Sequence, residues 1–205
     1  MLALKVKGHA MHGLINKAIQ SFFCHTYGGE RWQKVMENAG LGFVEFEAML
    51  VYDEEQSMAM LDAVCEELDR PRAEILEDLG TFLVSHPQLE ALRRLLRFGG
   101  VTYVDFLHSL DDLPDRARLA VADLHLPAME LREHTAGFFS VTCLPGLPGY
   151  GSVMMGVLRT MADDYGALVM LDHRGHRDGC EVISIAVIES AFAEGRSFEL
   201  GARSA

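Results

Sequence analysis

Near Pro127 the chain changes its hydrophobic period, and that switch limits the folds open to it. Before it, apolar residues recur at the three-to-four-residue spacing that gathers them on one face of a helix. Leu14, Ile15, Ala18, Ile19, Phe22 and Phe23 mark a first helix that ends at Gly28-Gly29. A second spans 30–39 and stops at Gly40, where a left-handed cap suits glycine. Asp53 caps a third, whose first turn carries Glu54 and Glu55 at the positive end of the helix dipole. Pro71 opens a fourth that ends near His86-Pro87. Leu89, Leu92, Leu95 and Leu96 mark a fifth, closed by Gly99-Gly100, and a sixth opens near Thr102 with Val104, Phe106, Leu107 and Leu110. After Pro127 the segments 138–143, 167–172 and 181–188 are rich in β-formers, 129–134 is a weaker strand, and 153–164 reads as a helix. Helices first, then strand, strand, helix, strand, strand, predicts an α+β fold: an amino-terminal helical lobe and a carboxy-terminal lobe with a four-stranded antiparallel sheet. The expected organisation is an extension over 1–10, one domain over 11–190 with a helical part to about 125 and a sheet part from about 126, and a tail over 191–205.

Charge narrows the function classes. A formal net charge of -12 disfavours a phosphate-tracking surface, so DNA and RNA are set aside as partners. No apolar run reaches the roughly 20 residues that span a bilayer, and the opening MLALKVKGHA lacks the apolar core of a secretion signal. A soluble, cytoplasmic protein without a membrane partner is the expectation. Cys24, Cys65, Cys143 and Cys180 are widely spaced in a chain large enough to fold without staples, so free thiols or metal ligands are expected rather than bridges.

The segments MHGLINKAIQSFF and GGERWQKVMENAGL, then FLHSLDDLPDRARL, DLHLPAMEL and VMMGVLRTM with its flanking strands, resemble the heme nitric oxide/oxygen-binding (H-NOX) family over about residues 11–190. The resemblance implies a sensor without a reaction of its own. It implies a b-type heme between a helical lobe and a sheet lobe, a proximal histidine on the iron, and a Tyr-x-Ser-x-Arg motif on the propionates. It also implies signalling to a histidine kinase or a cyclase, and places Ile15, His125 and Pro127 at pocket positions.

Two departures bear on the cofactor. Where the family carries Leu-x-x-Leu-His, this chain reads Leu110, Asp111, Asp112, Leu113, Pro114, and proline has no metal-binding atom. Pro114 is expected to kink the helix or to begin a new turn, with Asp111 or Asp112 as its cap. His108, six residues earlier in that same expected helix, is about 600° away at 3.6 residues per turn and faces elsewhere. Where the propionate clamp belongs stands Cys143, Leu144, Pro145, Gly146, Leu147, Pro148, Gly149 and Tyr150, without arginine. Buried propionates would there lack the charge-assisted bonds that offset desolvation. In the other register, 138–142, a serine is kept while tyrosine and arginine are still absent.

His173, His176 and Cys180 fall in an expected hairpin connection, with Cys143 ending a strand of the same sheet, and imidazole with thiolate is a zinc-type ligand set. Some H-NOX proteins are similar in carrying zinc in this lobe, at a different spacing. A solvated hairpin tip is the competing reading. Glu66, Glu67, Glu74 and Glu77 read as solvated helix faces, the methionines and Trp32 as core, and Cys24 and Cys65 as inert thiols, which gives no support to an enzyme. Three readings stand. The first is a stand-alone H-NOX-like regulatory domain acting through a partner with standard heme binding lost or altered. The second is a working NO/O2 sensor with an unorthodox ligand such as His125. The third is a zinc-stabilised redox or interaction module.

Overall fold

The structure, a computed structural model, describes residues 10–197; most of the amino-terminal extension and the end of the tail lie outside the described residues. Contacts divide the chain into two compact units meeting at Ile75/Leu76. The division falls within one helix and not where helices give way to strands, because the later helices share a core with the sheet.

In the first unit a short strand β1 (Ala10–His12) leads into α1 (Gly13–Tyr27) and α2 (Gly29–Ala39); β2 (Val51–Asp53) then leads into α3 (Glu54–Leu68). Each boundary has a local cause. His12 caps α1 through Nδ1, which accepts from the Leu14 amide at 3.1 Å. Gly40 closes α2 in the left-handed region, as its position in the sequence predicts. Gln56 Oε1 accepts from the Asp53 amide at 3.1 Å, completing the start of α3. Phe23, Trp32, Val35, Phe46, Met60 and Val64 are buried together with Asn16, whose Nδ2 donates to Ser57 Oγ at 2.9 Å. The β1–β2 pair, Met11 opposite Tyr52, was not expected from so short a pattern.

Helix α4 (Arg72–Ser85) spans the division. The second unit continues with a 3-10 turn (Pro87–Leu89), α5 (Glu90–Arg97), α6 (Tyr103–His108), α7 (Leu113–Ala120), β3 (Met129–Thr135), β4 (Phe138–Cys143), α8 (Tyr150–Tyr165), β5 (Leu168–Arg177) and β6 (Cys180–Glu189). Thr102 and Asp105 start α6 as a reciprocal box: Thr102 Oγ1 accepts from the Asp105 amide at 3.1 Å and Asp105 Oδ2 from the Thr102 amide at 2.9 Å. The strands form one antiparallel sheet in the order β3-β4-β6-β5. Alternate residues Phe139, Val141, Cys143, Ile183 and Ile185 point inward and join Tyr103, Phe106, Leu110, Met154, Leu158 and Met161 in one apolar cluster. Helices α4 and α8 touch backbone to backbone, since a Cβ on Gly80 or Gly156 would lie 2.0 Å from the carbonyl oxygen of Val153 or Glu77.

Two expectations need correction here. His108 and Pro114 do not share a helix: α6 ends at His108, residues 109–112 turn, and Pro114 sits in the first turn of α7, where its missing amide costs nothing. Asp112 holds the cap position without a side-chain cap bond, while Asp111 Oδ1 accepts from the Leu131 amide at 3.0 Å and ties this turn to β3. His173 and His176 lie within β5, which runs to Arg177, and the connection is only Asp178-Gly179.

Candidate functional site

The segment that resembles the heme-ligating stretch runs from α6 into α7. Leu110 and Leu113 are buried, and Pro114 is half-buried at the helix start. His108 is exposed, its ring edge-on to Phe139 at 5.9 Å between centroids. His125 is also exposed, and its Nδ1 lies 2.9 Å from the Asp123 carbonyl oxygen. Pro127 is buried, and the Leu144 amide donates to the neighbouring Ala128 carbonyl at 2.8 Å, fastening this segment to the end of β4. Ile15 is half-buried on α1, in the other unit. Arg116, on α7, spends its guanidinium on main-chain carbonyls: Nη1 donates to Leu95 O at 3.2 Å and Nη2 to Ser109 O at 2.7 Å.

At the amino-terminal end of α8 a charged group sits in the core. Glu181 begins the inward face of β6 opposite Cys143, and its carboxylate is buried. Oε1 accepts from the Gly151 amide at 3.1 Å, so a residue distant in sequence supplies an anion to the first turn of α8. Oε2 lies 3.1 Å from His173 Nε2 and 3.7 Å from His176 Nε2. His173 Nδ1 accepts from the Gly175 amide at 3.1 Å, which leaves the ring proton on Nε2, facing Glu181. Burial, then the Glu181 charge, pushes the Cys143 thiol up to about 12.

The four residues expected as zinc ligands are spread over the end of β4, the body of β5 and the start of β6. Among the described residues no group of three or more His, Cys, Asp or Glu side chains is placed to hold a metal ion. His173 uses both ring nitrogens in hydrogen bonds, Cys143 holds its proton in an apolar setting, and Cys180 pairs with Arg177 across the hairpin, so the four named side chains are not one ligand set.

Sequence reasoning missed the second buried charge cluster. Arg93 Nε donates to Asp164 Oδ1 at 2.7 Å, with the two side chains 8% and 3% exposed. Arg97 lies over the Tyr165 ring at 3.8 Å and donates to the Asp164 carbonyl at 3.3 Å. Two arginines four residues apart on α5 gave the only signal; their partner stands 71 residues further along the chain.

The family profile described as Haem-NO-binding matches residues 12–173. Two soluble guanylate cyclases of Caenorhabditis elegans are similar. Gcy-32 is 24% identical over 155 residues, and gcy-34 is 26% identical over 157 residues. Each match covers 74% of this chain and 23% of the cyclase, so the chain spans about a quarter of the length of these relatives. Among solved structures, the Fe(II) unliganded H-NOX protein from K. algicida superimposes with a TM-score of 0.76 at 14% identity, over 90% of this chain and 100% of that one. The Fe(II)NO form of the S. oneidensis H-NOX protein gives a TM-score of 0.70 at 14% identity, over 86% and 99%. At these identities the superpositions establish the fold. Among the described residues no helix is long and apolar enough to cross a membrane.

Proposed function

The chain belongs to the haem-NO-binding (H-NOX) family, and on that premise we propose that it is a regulatory domain that signals through a partner protein without the family's histidine-ligated heme. The coarser half of this reading is the family's own: H-NOX domains are sensor domains and not catalytic ones. The finer half rests chiefly on one observation, that Pro114 opens α7 at the position the resemblance assigns to the iron ligand.

A b-type heme needs an axial atom with a free lone pair directed into apolar surroundings, and donors for its propionates. The residues present do not fit that group. Pro114 offers no lone pair to a metal, and the imidazoles of His108 and His125 in the neighbouring segments are exposed. Residues 143–150 contain no arginine, and the guanidinium of Arg116 is engaged by backbone carbonyls. Helix α6, the turn after it and the start of α7 instead carry Phe106, Leu107, Leu110 and Leu113 in the continuous apolar cluster of the sheet. Such packing makes the lobe self-supporting, since close-packed interiors gain dispersion energy that a vacancy would forfeit. The relatives' names suggest a cyclase-type signalling partner and the family resemblance adds a kinase-type one, while this chain spans about a quarter of the length of those cyclases.

The test is the absorption spectrum of the full chain produced with added heme precursor, alongside hemin titration of the purified protein. Absence of a stoichiometric Soret band in both is the expected result. A sharp band at one heme per chain that shifts in His125→Ala would overturn the proposal and restore a gas sensor with an unorthodox ligand.

A further inference from the structure

The loop between α2 and β2 carries an apolar rim that no other feature of the fold explains. Met49 is 78% exposed, Leu50 55%, Val51 64% and Val44 45%. Single exposed apolar residues are ordinary, but three large ones in succession oppose solubility and mark contact surfaces when the backbone holds them out. Here the backbone does hold them. The Leu50 amide donates to Glu47 O at 3.2 Å, and the Gly13 amide donates to Leu50 O at 2.7 Å. Val51 pairs with His12 in the two-stranded sheet. Anchors lie on either side: Phe46 is fully buried with its amide on Gln20 Oε1 at 3.0 Å, Tyr52 Oη accepts from the Glu47 amide at 2.8 Å, and Trp32 Nε1 donates to Val44 O at 2.8 Å. The aromatic rings of Phe46 and Tyr52 meet at 4.9 Å beneath the rim. Phe46 and Tyr52 therefore face inward while Met49, Leu50 and Val51 are presented to solvent on an already ordered support, which lowers the entropic cost of binding.

Charge selects the occupant. The same stretch carries Glu45, Glu47, Asp53, Glu54 and Glu55 and no basic residue, and Lys17 pairs with Glu45 at 3.6 Å. An acidic border repels an anionic lipid surface or a nucleic acid. It also repels a second copy of a chain whose formal net charge is -12, since a two-fold contact would set this border against itself. It complements lysine and arginine.

We propose that Val44, Met49, Leu50 and Val51 form the docking surface for a basic, apolar segment of a protein partner, with the acidic border steering and orienting it. This rests on the reading that the domain acts through a partner, and adds where and by what chemistry that partner is recognised.

The full chain, labelled with 15N, is titrated with a Lys/Leu amphipathic helical peptide, with a Glu/Leu peptide of the same pattern, and with phosphatidylcholine vesicles containing phosphatidylglycerol. Amide shifts concentrated over 44–51 with the Lys/Leu peptide alone are expected. Binding should weaken about tenfold or more in the double variant Met49→Ser/Leu50→Ser, and at raised salt, while Leu119→Ser, at an equally exposed site elsewhere, leaves it unchanged. Because the double variant alters a structured turn, the charge reversal Glu45→Lys/Glu47→Lys is run beside it, with circular dichroism confirming the fold; it too should weaken binding about tenfold or more. Shifts spread over other acidic surfaces, equal binding by either variant, or preference for the Glu/Leu peptide or the vesicles would overturn the proposal. The absorption spectrum of the same sample reads the heme question separately, so the failure of one reading does not pass for failure of the other.

Discussion

Replacing Asp164 with alanine isolates the buried charge cluster. The carboxylate is 3% exposed and holds Arg93, 8% exposed, at 2.7 Å, with Arg97 Nε at 3.6 Å from its second oxygen. Removing one partner of a buried pair leaves the other charge desolvated, which costs about 3–5 kcal/mol. The lower end applies here, near 3 kcal/mol, because both arginines keep contacts the substitution does not touch. Arg93 Nη2 still donates to Ser197 O at 3.2 Å, and Arg97 keeps the Asp164 main-chain carbonyl and the Tyr165 ring. With a urea slope of about 2 kcal/mol per molar, the midpoint should fall by roughly 1.5 M. The chain has two compact units, and its Trp32 reports on the first, so the measurement is hydrogen exchange at α5 and α8 amides as a function of urea. The double variant Arg93→Met/Asp164→Leu should recover most of the loss, since an apolar pair of similar volume avoids the desolvation cost. A loss below about 1 kcal/mol in Asp164→Ala, or a double variant no better than the single one, would refute the assignment of this pair as a desolvated, mutually dependent unit.

Two further outcomes follow from local geometry. In Gly13→Ala the new Cβ would stand 2.1 Å from Glu47 O and 2.6 Å from Leu50 O, both backbone, so the β1–β2 support must shift; a loss of about 1–3 kcal/mol in thermal denaturation is expected, and a loss within 0.5 kcal/mol would show that this approach is slack. The Cys143 thiol is raised from 9.0 to about 12 in the fold, so the folded state holds its proton where the unfolded state has released it. Its stabilising effect is complete below pH 9 and is lost as the pH climbs toward 12, so denaturation midpoints should fall over that window and fall less steeply in Cys143→Ala. An unchanged slope in the variant would remove Cys143 as the cause.

What the sequence determined by itself was local. The helical period to about residue 125, Gly40 as a left-handed stop, the cap at Asp53, the order of the later strands and the helix between them all depend on neighbours a few residues apart, and the structure reproduces them. The family resemblance was legible for a related reason: it lies in the order and spacing of those elements, which the matches over 12–173 bear out. The proline at 114 could be read directly, because proline lacks a ligating atom in any fold. Whether it bends a helix or begins one depended on the turn at 109–112, held by Asp111 on β3.

Tertiary structure alone decided which charges are buried and what they meet. Glu181 looked like the polar first residue of a strand, yet β6 register turns it inward onto the α8 amide and onto His173. That pairing turns His173 Nε2 toward the Glu181 carboxylate. Asp164 was legible only as the end of a helix, and it was α5 that laid two arginines against it. Such contacts join residues tens of positions apart, and no local period encodes them; their energy comes from excluding water, which happens only once the chain has closed around them.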